Sequence, residues 1–316
     1  MRQVYEDVGE FFHALRVFFD ELTSVGWPAL GIALAFHLTK VLLRTIAWRN
    51  ILRASYPRER VRWRPVGGAY LAGVGVNSIV PGRAGDLVKL YLVRHRLPGT
   101  TYTTLASTLV AETLLDFVLA TAFFIWALSL GVLPSIHTPA FDWGWLLRHG
   151  KATATVVALL TLGAIWFFWW ASRNLNFRER IGRGFAVLGD RRRYAREVAS
   201  WQLASWVCRV ASVYWFLRAF HVHATVHNAL LAQVVDSLAT LLPFSPGGAG
   251  TKQGFLVVIL HGQASSSRLL AFSIGMYVAV TVFNVALGAA AIFVMMRTLR
   301  LREILSRAKA AEPGSS

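Results

Sequence analysis

Residues 66–96 read VGGAYLAGVGVNSIVPGRAGDLVKLYLVRHR. A run of small and apolar side chains (66–80) is broken by Pro81-Gly82-Arg83-Ala84-Gly85-Asp86 and resumes as an amphipathic stretch at 87–96. Proline removes an amide donor and clashes with the preceding turn, and the glycines add backbone freedom, so a helix stops here and a second one starts. At membrane depth a broken helix is tolerated only where protein or a wet cavity covers the freed backbone. Arg58, Arg60, Arg62 and Arg64 stand before the run, and Arg94 and Arg96 close it. Both ends therefore belong on the cytoplasmic side, and the segment reads as a re-entrant hairpin that enters and leaves through one face.

A second segment, 229–261, is also apolar and also broken, at Leu242-Pro243-Phe244-Ser245-Pro246-Gly247-Gly248-Ala249-Gly250-Thr251-Lys252. Pro246-Gly247-Gly248-Ala249-Gly250 repeats Pro81-Gly82-Arg83-Ala84-Gly85 at four of five positions. Its flanks, 221–228 and 262–267, hold no Lys or Arg, which places this hairpin on the opposite face. Inverted repeats whose broken helices meet near the bilayer midplane recur in secondary transporters, where free helix N-termini hold the polar part of the substrate.

The rest of the 316-residue chain agrees with a bilayer setting. It is 55% hydrophobic and 16% charged, with a mean hydropathy of +0.48, which excludes an ordinary soluble domain. Further apolar stretches at 27–48, 103–133, 152–171, 201–220 and 269–296 have the length that crosses a hydrocarbon core of roughly 30 Å. The fold class expected is an all-α polytopic membrane protein with about five full transmembrane helices and two re-entrant hairpins related as an inverted repeat. Lys and Arg total 33 against 16 Asp and Glu. In a soluble chain that excess would suggest nucleic acid, but here it sits between apolar stretches: Arg49 to Arg64, Arg173 to Arg193 and Arg297 to Lys309. Gathering these on one side puts the N-terminus outside and the C-terminus in the cytoplasm of a multi-pass protein of the cell membrane, and no nucleic-acid partner is expected. Residues 1–26 read as an interfacial amphipathic segment, 27–298 as the integral membrane domain and 299–316 as a basic cytoplasmic tail. Cys208 is the sole cysteine, so neither an intrachain disulfide nor a CxxC motif arises.

Charged side chains in such a setting are costly and so become candidates for function. Glu112 and Asp116, spaced i, i+4, share a helix face about 13 and 20 Å from residue 103 by helical rise. Arg83, Lys89 and Lys40 are their candidate partners, with protonation of one carboxyl as the alternative. A salt bridge that only fixes packing and a carboxylate that changes charge during transport both remain open. Asp86 stands where it could cap the helix that follows. Arg83, beside a glycine turn and a helix N-terminus, suits a phosphate. Lys252 occupies the matching place after the second turn, with Asp236 upstream. The backbone turns themselves, Pro81, Gly82, Gly85, Pro246, Gly247 and Gly250, complete the candidate substrate site. Arg209 and His37 read as packing partners. His221, His223 and His227 are irregularly spaced for metal ligation, and neither a metal nor a cofactor is expected. No GxGxxG, P-loop, HExxH or GxSxG pattern is present, so the sequence gives no sign of an enzyme.

The string Val76-Asn77-Ser78-Ile79-Val80-Pro81-Gly82-Arg83-Ala84-Gly85-Asp86-Leu87-Val88-Lys89, the Glu112–Asp116 pair and the second Pro-Gly turn together resemble the lysylphosphatidylglycerol synthase transmembrane family, the flippase-like membrane family. The resemblance covers about residues 27–296 and implies movement of lipid between leaflets, as in the bifunctional members. Those members also carry a soluble aminoacyl-tRNA-dependent transferase, whereas this chain ends soon after its last apolar stretch and resembles a stand-alone member. Family members often have Glu where Asp86 stands. The function expected is a flippase-like lipid translocase for a phosphate-bearing phospholipid or a polyprenyl or glycolipid carrier, with membrane lipid as partner. The alternatives are a membrane-embedded lipid-linked transferase and a non-catalytic scaffold for a separate synthase or glycosyltransferase.

Overall fold

The protein is described from a computed structural model covering residues 24–80, 83–97, 99–129, 137–138, 141–142, 182–241, 256–257, 259–260 and 262–311. Residues 1–23 of the interfacial segment 1–26, the crossing at 152–171 and the whole second turn, 242–252, lie outside the described residues. So do Pro81 and Gly82.

The described chain is helical, apart from the two-residue strands β1 (His137–Thr138) and β2 (Phe141–Asp142), which pair antiparallel. Helix α1 (Trp27–Ser55) opens with Pro28 in its first turn, where the missing amide donor costs nothing. Helices α2 (Trp63–Ile79) and α3 (Ala84–Arg96) are the two halves of the broken segment. They are followed by α4 (Tyr102–Ser129). A short helix, α5 (Arg191–Tyr194), runs through a π-turn at Ala195–Ala199 into α6 (Ser200–Ala219). Then come α7 (Val226–Leu241) and α8 (Ser266–Ala311). Three stretches are long and apolar enough to cross a membrane among the described residues: Trp27–Ser55, Tyr102–Leu119 and Ser266–Met295. Helix α8 continues well beyond its apolar part, because residues 297–311 are rich in Leu, Arg, Lys, Glu and Ala, all good helix formers.

Three antiparallel pairings organise the bundle. Helix α6 runs back along α1: the Gly26 amide donates to the Ala219 carbonyl at 2.9 Å, the Ser212 hydroxyl to the Ala33 carbonyl at 2.9 Å, and Asn50 Nδ2 to the Glu197 carbonyl at 2.7 Å. Helices α2 and α8 cross where Gly75 meets Gly288; a Cβ on Gly75 would stand 2.8 Å from the Gly288 Cα, so only glycine permits the approach. Helices α2 and α3 close tighter still, since a Cβ on Gly85 would fall 1.9 Å from the Gly73 carbonyl oxygen.

The apolar core lies in two main clusters. One, around Phe216, Leu217, Leu256 and Phe272, joins the start of α1 to α6, α7 and α8. The other, around Trp48, Leu52, Tyr70, Leu90 and Leu105, joins the end of α1 to α2, α3 and α4. Trp48 is fully buried there, and its indole N–H is satisfied by Thr108 Oγ1 at 3.1 Å.

Candidate functional site

The break between α2 and α3 is held by a side chain that the sequence reading left unused. Asn77, on the last turn of α2, accepts the Gly85 amide at 2.7 Å and so caps α3. Asp86 is therefore not the cap; its Oδ1 accepts from Asn77 Nδ2 at 3.3 Å and pairs with Lys89 Nζ at 3.0 Å, one turn on. Arg83 occupies the turn itself with φ 58° and ψ 32°, a left-handed conformation that costs a non-glycine residue about 1–3 kcal/mol. It is exposed, and its carbonyl accepts the Asp86 amide at 2.9 Å.

Four of the sequence-selected residues, Asp86, Lys89, Glu112 and Asp116, come together in one polar chain. Lys89 is buried, and its ammonium sits 4.1 Å above the centre of the Tyr70 ring. The Tyr70 hydroxyl donates to Glu112 Oε1 at 2.7 Å. Arg44 of α1 donates to that same oxygen from Nη2 at 2.9 Å and from Nε at 3.2 Å, while its Nη1 pairs with Asp116 Oδ2. The partner of the carboxylate pair is thus Arg44 and not Arg83, Lys89 or Lys40. A guanidinium presents its donors in a flat fork, which lets one arginine span two carboxylates a helical turn apart. Helix α6 docks on this knot through residues one turn apart: Gln202 Nε2 donates to the Glu112 carbonyl at 2.6 Å and the Trp206 indole N–H to Asp116 Oδ1 at 2.8 Å. Two cations meet three carboxylates along the chain, so it carries a net negative charge when all are ionised.

A cavity of about 210 Å³ opens beside the knot, walled by five helices. His37 and Lys40 enter from α1, Asn77 and Ser78 from α2, Arg209 from α6, Gln233 from α7, and Tyr277 and Thr281 from α8. Sequence reasoning treated Arg209 and His37 as isolated packing residues, yet they share this space with Lys40. Lys40 Nζ lies 3.3 Å from His37 Nδ1, and His37 Nε2 lies 2.8 Å from Asn284 Oδ1. An ammonium only donates and an amide oxygen only accepts, so the imidazole is assigned the tautomer with its proton on Nε2. Asn284 Nδ2 then donates to Ser78 Oγ at 3.1 Å, and the Ser78 hydroxyl to the Val74 carbonyl at 3.0 Å. One directed chain of hydrogen bonds thereby ties Lys40 on α1 to α8 and to the end of α2. Arg209 lies with its guanidinium carbon 4.8 Å above the ring of Trp206, the same indole that holds Asp116.

The remaining candidates are placed as follows. Asp236 stands on α7, but its side chain, like Lys252, Pro246, Gly247 and Gly250, lies outside the described residues. The three histidines diverge: His221 Nε2 lies 3.0 Å from the Ser24 carbonyl, His223 Nδ1 lies 3.0 Å from Gln263 Oε1, and His227 packs edge-on against Trp126. No group of three or more His, Cys, Asp or Glu side chains that could hold a metal occurs among the described residues.

No curated protein and no solved structure matches the chain. A family model for the lysylphosphatidylglycerol synthase TM region matches residues 8–311, a stretch that includes the α2–α3 break, the Arg44 knot and the cavity. This membrane protein belongs to the lysylphosphatidylglycerol synthase TM region family.

Proposed function

We propose that the protein moves a phosphate-bearing lipid, a phospholipid or a polyprenyl or glycolipid carrier, between the leaflets of the cell membrane. The observation that carries this reading is the cavity walled by α1, α2, α6, α7 and α8, which His37, Lys40, Asn77, Arg209 and Gln233 line. Polar side chains at membrane depth are costly, and they gather where a polar group must pass or rest. Two of the lining residues, Asn77 and Ser78, belong to the end of α2 at the break, the kind of position at which broken helices of transporters meet their substrate. In this reading the α2–α3 pair is a re-entrant hairpin from the cytoplasmic face, its counterpart at 229–261 enters from the other face, and α6 and the apolar stretch 152–171 add two crossings to the three apolar spans. The cavity is smaller than the roughly 300–1,000 Å³ typical of pockets that enclose a whole drug-sized ligand, so it takes a headgroup while acyl chains stay in the bilayer.

The test is transfer in liposomes that hold only this protein. Fluorescent phosphatidylglycerol in the inner leaflet becomes accessible to a membrane-impermeant reductant only after it crosses. Transfer above the protein-free rate is expected. Transfer at the protein-free rate removes the translocase reading, and product formed from a lipid-linked donor would replace it with a transferase.

A further inference from the structure

We propose that the cleft where α3 gives way to α4, lined by Tyr91, Arg94, His95 and Tyr102, holds the headgroup of an anionic phospholipid resident in the cytoplasmic leaflet. The cleft shares no lining residue with the cavity walled by α1, α2, α6, α7 and α8, and it stands whether or not the protein moves lipid; only the leaflet it faces follows from the proposed topology.

The cleft has a volume of about 290 Å³, and short sequence spacings build its walls. Tyr91 and His95 stand i, i+4 on α3, and their rings stack with centroids 6.0 Å apart and planes 23° from parallel. The half-buried Arg94 guanidinium lies 4.8 Å from the centre of the ring of Tyr102, the first residue of α4, and its Nη1 donates to the Thr100 carbonyl. Ring and carbonyl fix the guanidinium in place, yet neither carries a charge that would neutralise it. The rest of its donor fork meets no acceptor among the described residues, and no carboxylate lines the cleft. A guanidinium held this way is preorganised for the oxygens of a phosphate, which it can grip through two parallel bonds.

Position selects the occupant. Tyr102 opens the apolar span Tyr102–Leu119, so the cleft sits at the level where hydrocarbon gives way to headgroups, and Tyr91 and Tyr102 are both exposed there, as interfacial aromatics are. The α2–α3 hairpin brings the start of α2 to the same end of the bundle, and the Thr101 amide, donating to the Tyr56 hydroxyl at 3.2 Å, ties the preceding loop to the start of α4. That loop and the first turn of α2 carry Arg58, Arg60, Arg62 and Arg64, all exposed. Glu59, the carboxylate among them, lies against Gly99 and does not line the cleft. A cationic cluster beside the bilayer draws anionic lipid to it. A zwitterionic headgroup brings its own cation into the same field, so a headgroup with net negative charge is favoured.

Native mass spectrometry of the full chain, released from phosphatidylcholine nanodiscs doped with phosphatidylglycerol, counts the lipids that stay bound. Wild type is expected to retain phosphatidylglycerol over phosphatidylcholine. Occupancy by one phosphatidylglycerol is expected to fall about tenfold in Arg94→Gln and in Tyr91→Leu/Tyr102→Leu, against about threefold or less in Arg58→Gln, while any lipid held in the other cavity stays. The tyrosine pair leaves the Arg94–Thr100 bond in place, so it carries the test if Arg94→Gln melts early. Equal retention in wild type and both cleft variants, or retention of phosphatidylcholine equal to that of phosphatidylglycerol, would overturn the assignment. So would saturable binding of inorganic phosphate to the lipid-free protein that excludes phosphatidylglycerol, which would make the cleft a free-phosphate site. Wild type that binds this lipid but transfers none in liposomes would keep the cleft and remove the translocase reading, whereas transfer with unaltered retention in the variants would do the reverse.

Discussion

Replacing Arg44 by methionine is expected to be more damaging than neutralising either carboxylate it serves. Glu112 is only 3% exposed, and Arg44→Met takes away two of the three donors on its Oε1 while leaving its charge in place. Stripping one partner from a buried ion pair costs about 3–5 kcal/mol. Glu112→Gln keeps size and an acceptor oxygen, so the bonds at 2.7, 2.9 and 3.2 Å weaken from charge-assisted to neutral strength. That loss is about 1–2 kcal/mol. On the soluble-domain scale of about 2–4 °C per kcal/mol, Arg44→Met lowers the melting temperature by roughly 6–20 °C and Glu112→Gln by roughly 2–8 °C. Thermal unfolding of purified variants in one detergent gives the order directly. The double variant Arg44→Met/Glu112→Leu removes the stranded charge as well, so it is expected to be more stable than Arg44→Met alone, a coupling that a double-mutant cycle reads out. Additive losses, or a Glu112→Gln variant less stable than Arg44→Met, would refute the assignment of Arg44 as the partner of the pair.

Transfer by Glu112→Gln is expected to fall in proportion to its stability, because Arg44 keeps its contact with Asp116; a fully folded, transfer-dead variant would assign Glu112 a charge-changing role instead. Gly85→Ala is expected to destabilise by about 1–3 kcal/mol through overpacking against the Gly73 carbonyl, whereas Gly31→Ala, whose Cβ meets nothing within 4 Å, leaves the melting temperature unchanged or raised. Membrane-impermeant thiol labelling of single cysteines in a Cys208→Ala background is expected to reach position 225 from outside and position 60 only after permeabilisation; the reverse would invert the proposed topology.

Much of the helical plan was legible because hydropathy and helix breakers are local properties. The Pro-Gly turn ended α2 and opened α3 within three residues of where the sequence placed them, and the apolar runs at 27–48 and 269–296 fall inside α1 and α8. Hydropathy marks only where an apolar run stops, so α8 ran on to Ala311 through residues assigned to a separate tail. The site was half legible. Spacing put Glu112 and Asp116 on one face, but Arg44, inside the apolar stretch 27–48, drew no role from the sequence, and Tyr70 reads as an ordinary apolar-run aromatic. The signal available for Arg44 was its position within an apolar span, four residues before the fully buried Trp48. Lys40, His37 and Arg209 sit on two helices that are antiparallel neighbours; their convergence depends on the α1–α6 packing, which no local pattern encodes.

Blocking the cavity tests most directly whether lipid passes through it. Thr281 of α8 lines the space, while Val282, the next residue, is 62% exposed on the outside of the same helix. Fluorescent phosphatidylglycerol transfer is measured in liposomes for Thr281→Phe and Val282→Phe, each checked for an unchanged melting temperature. Transfer falling to the protein-free rate in Thr281→Phe, with Val282→Phe at the wild-type rate, is the predicted result; equal, wild-type transfer by both variants would contradict the account.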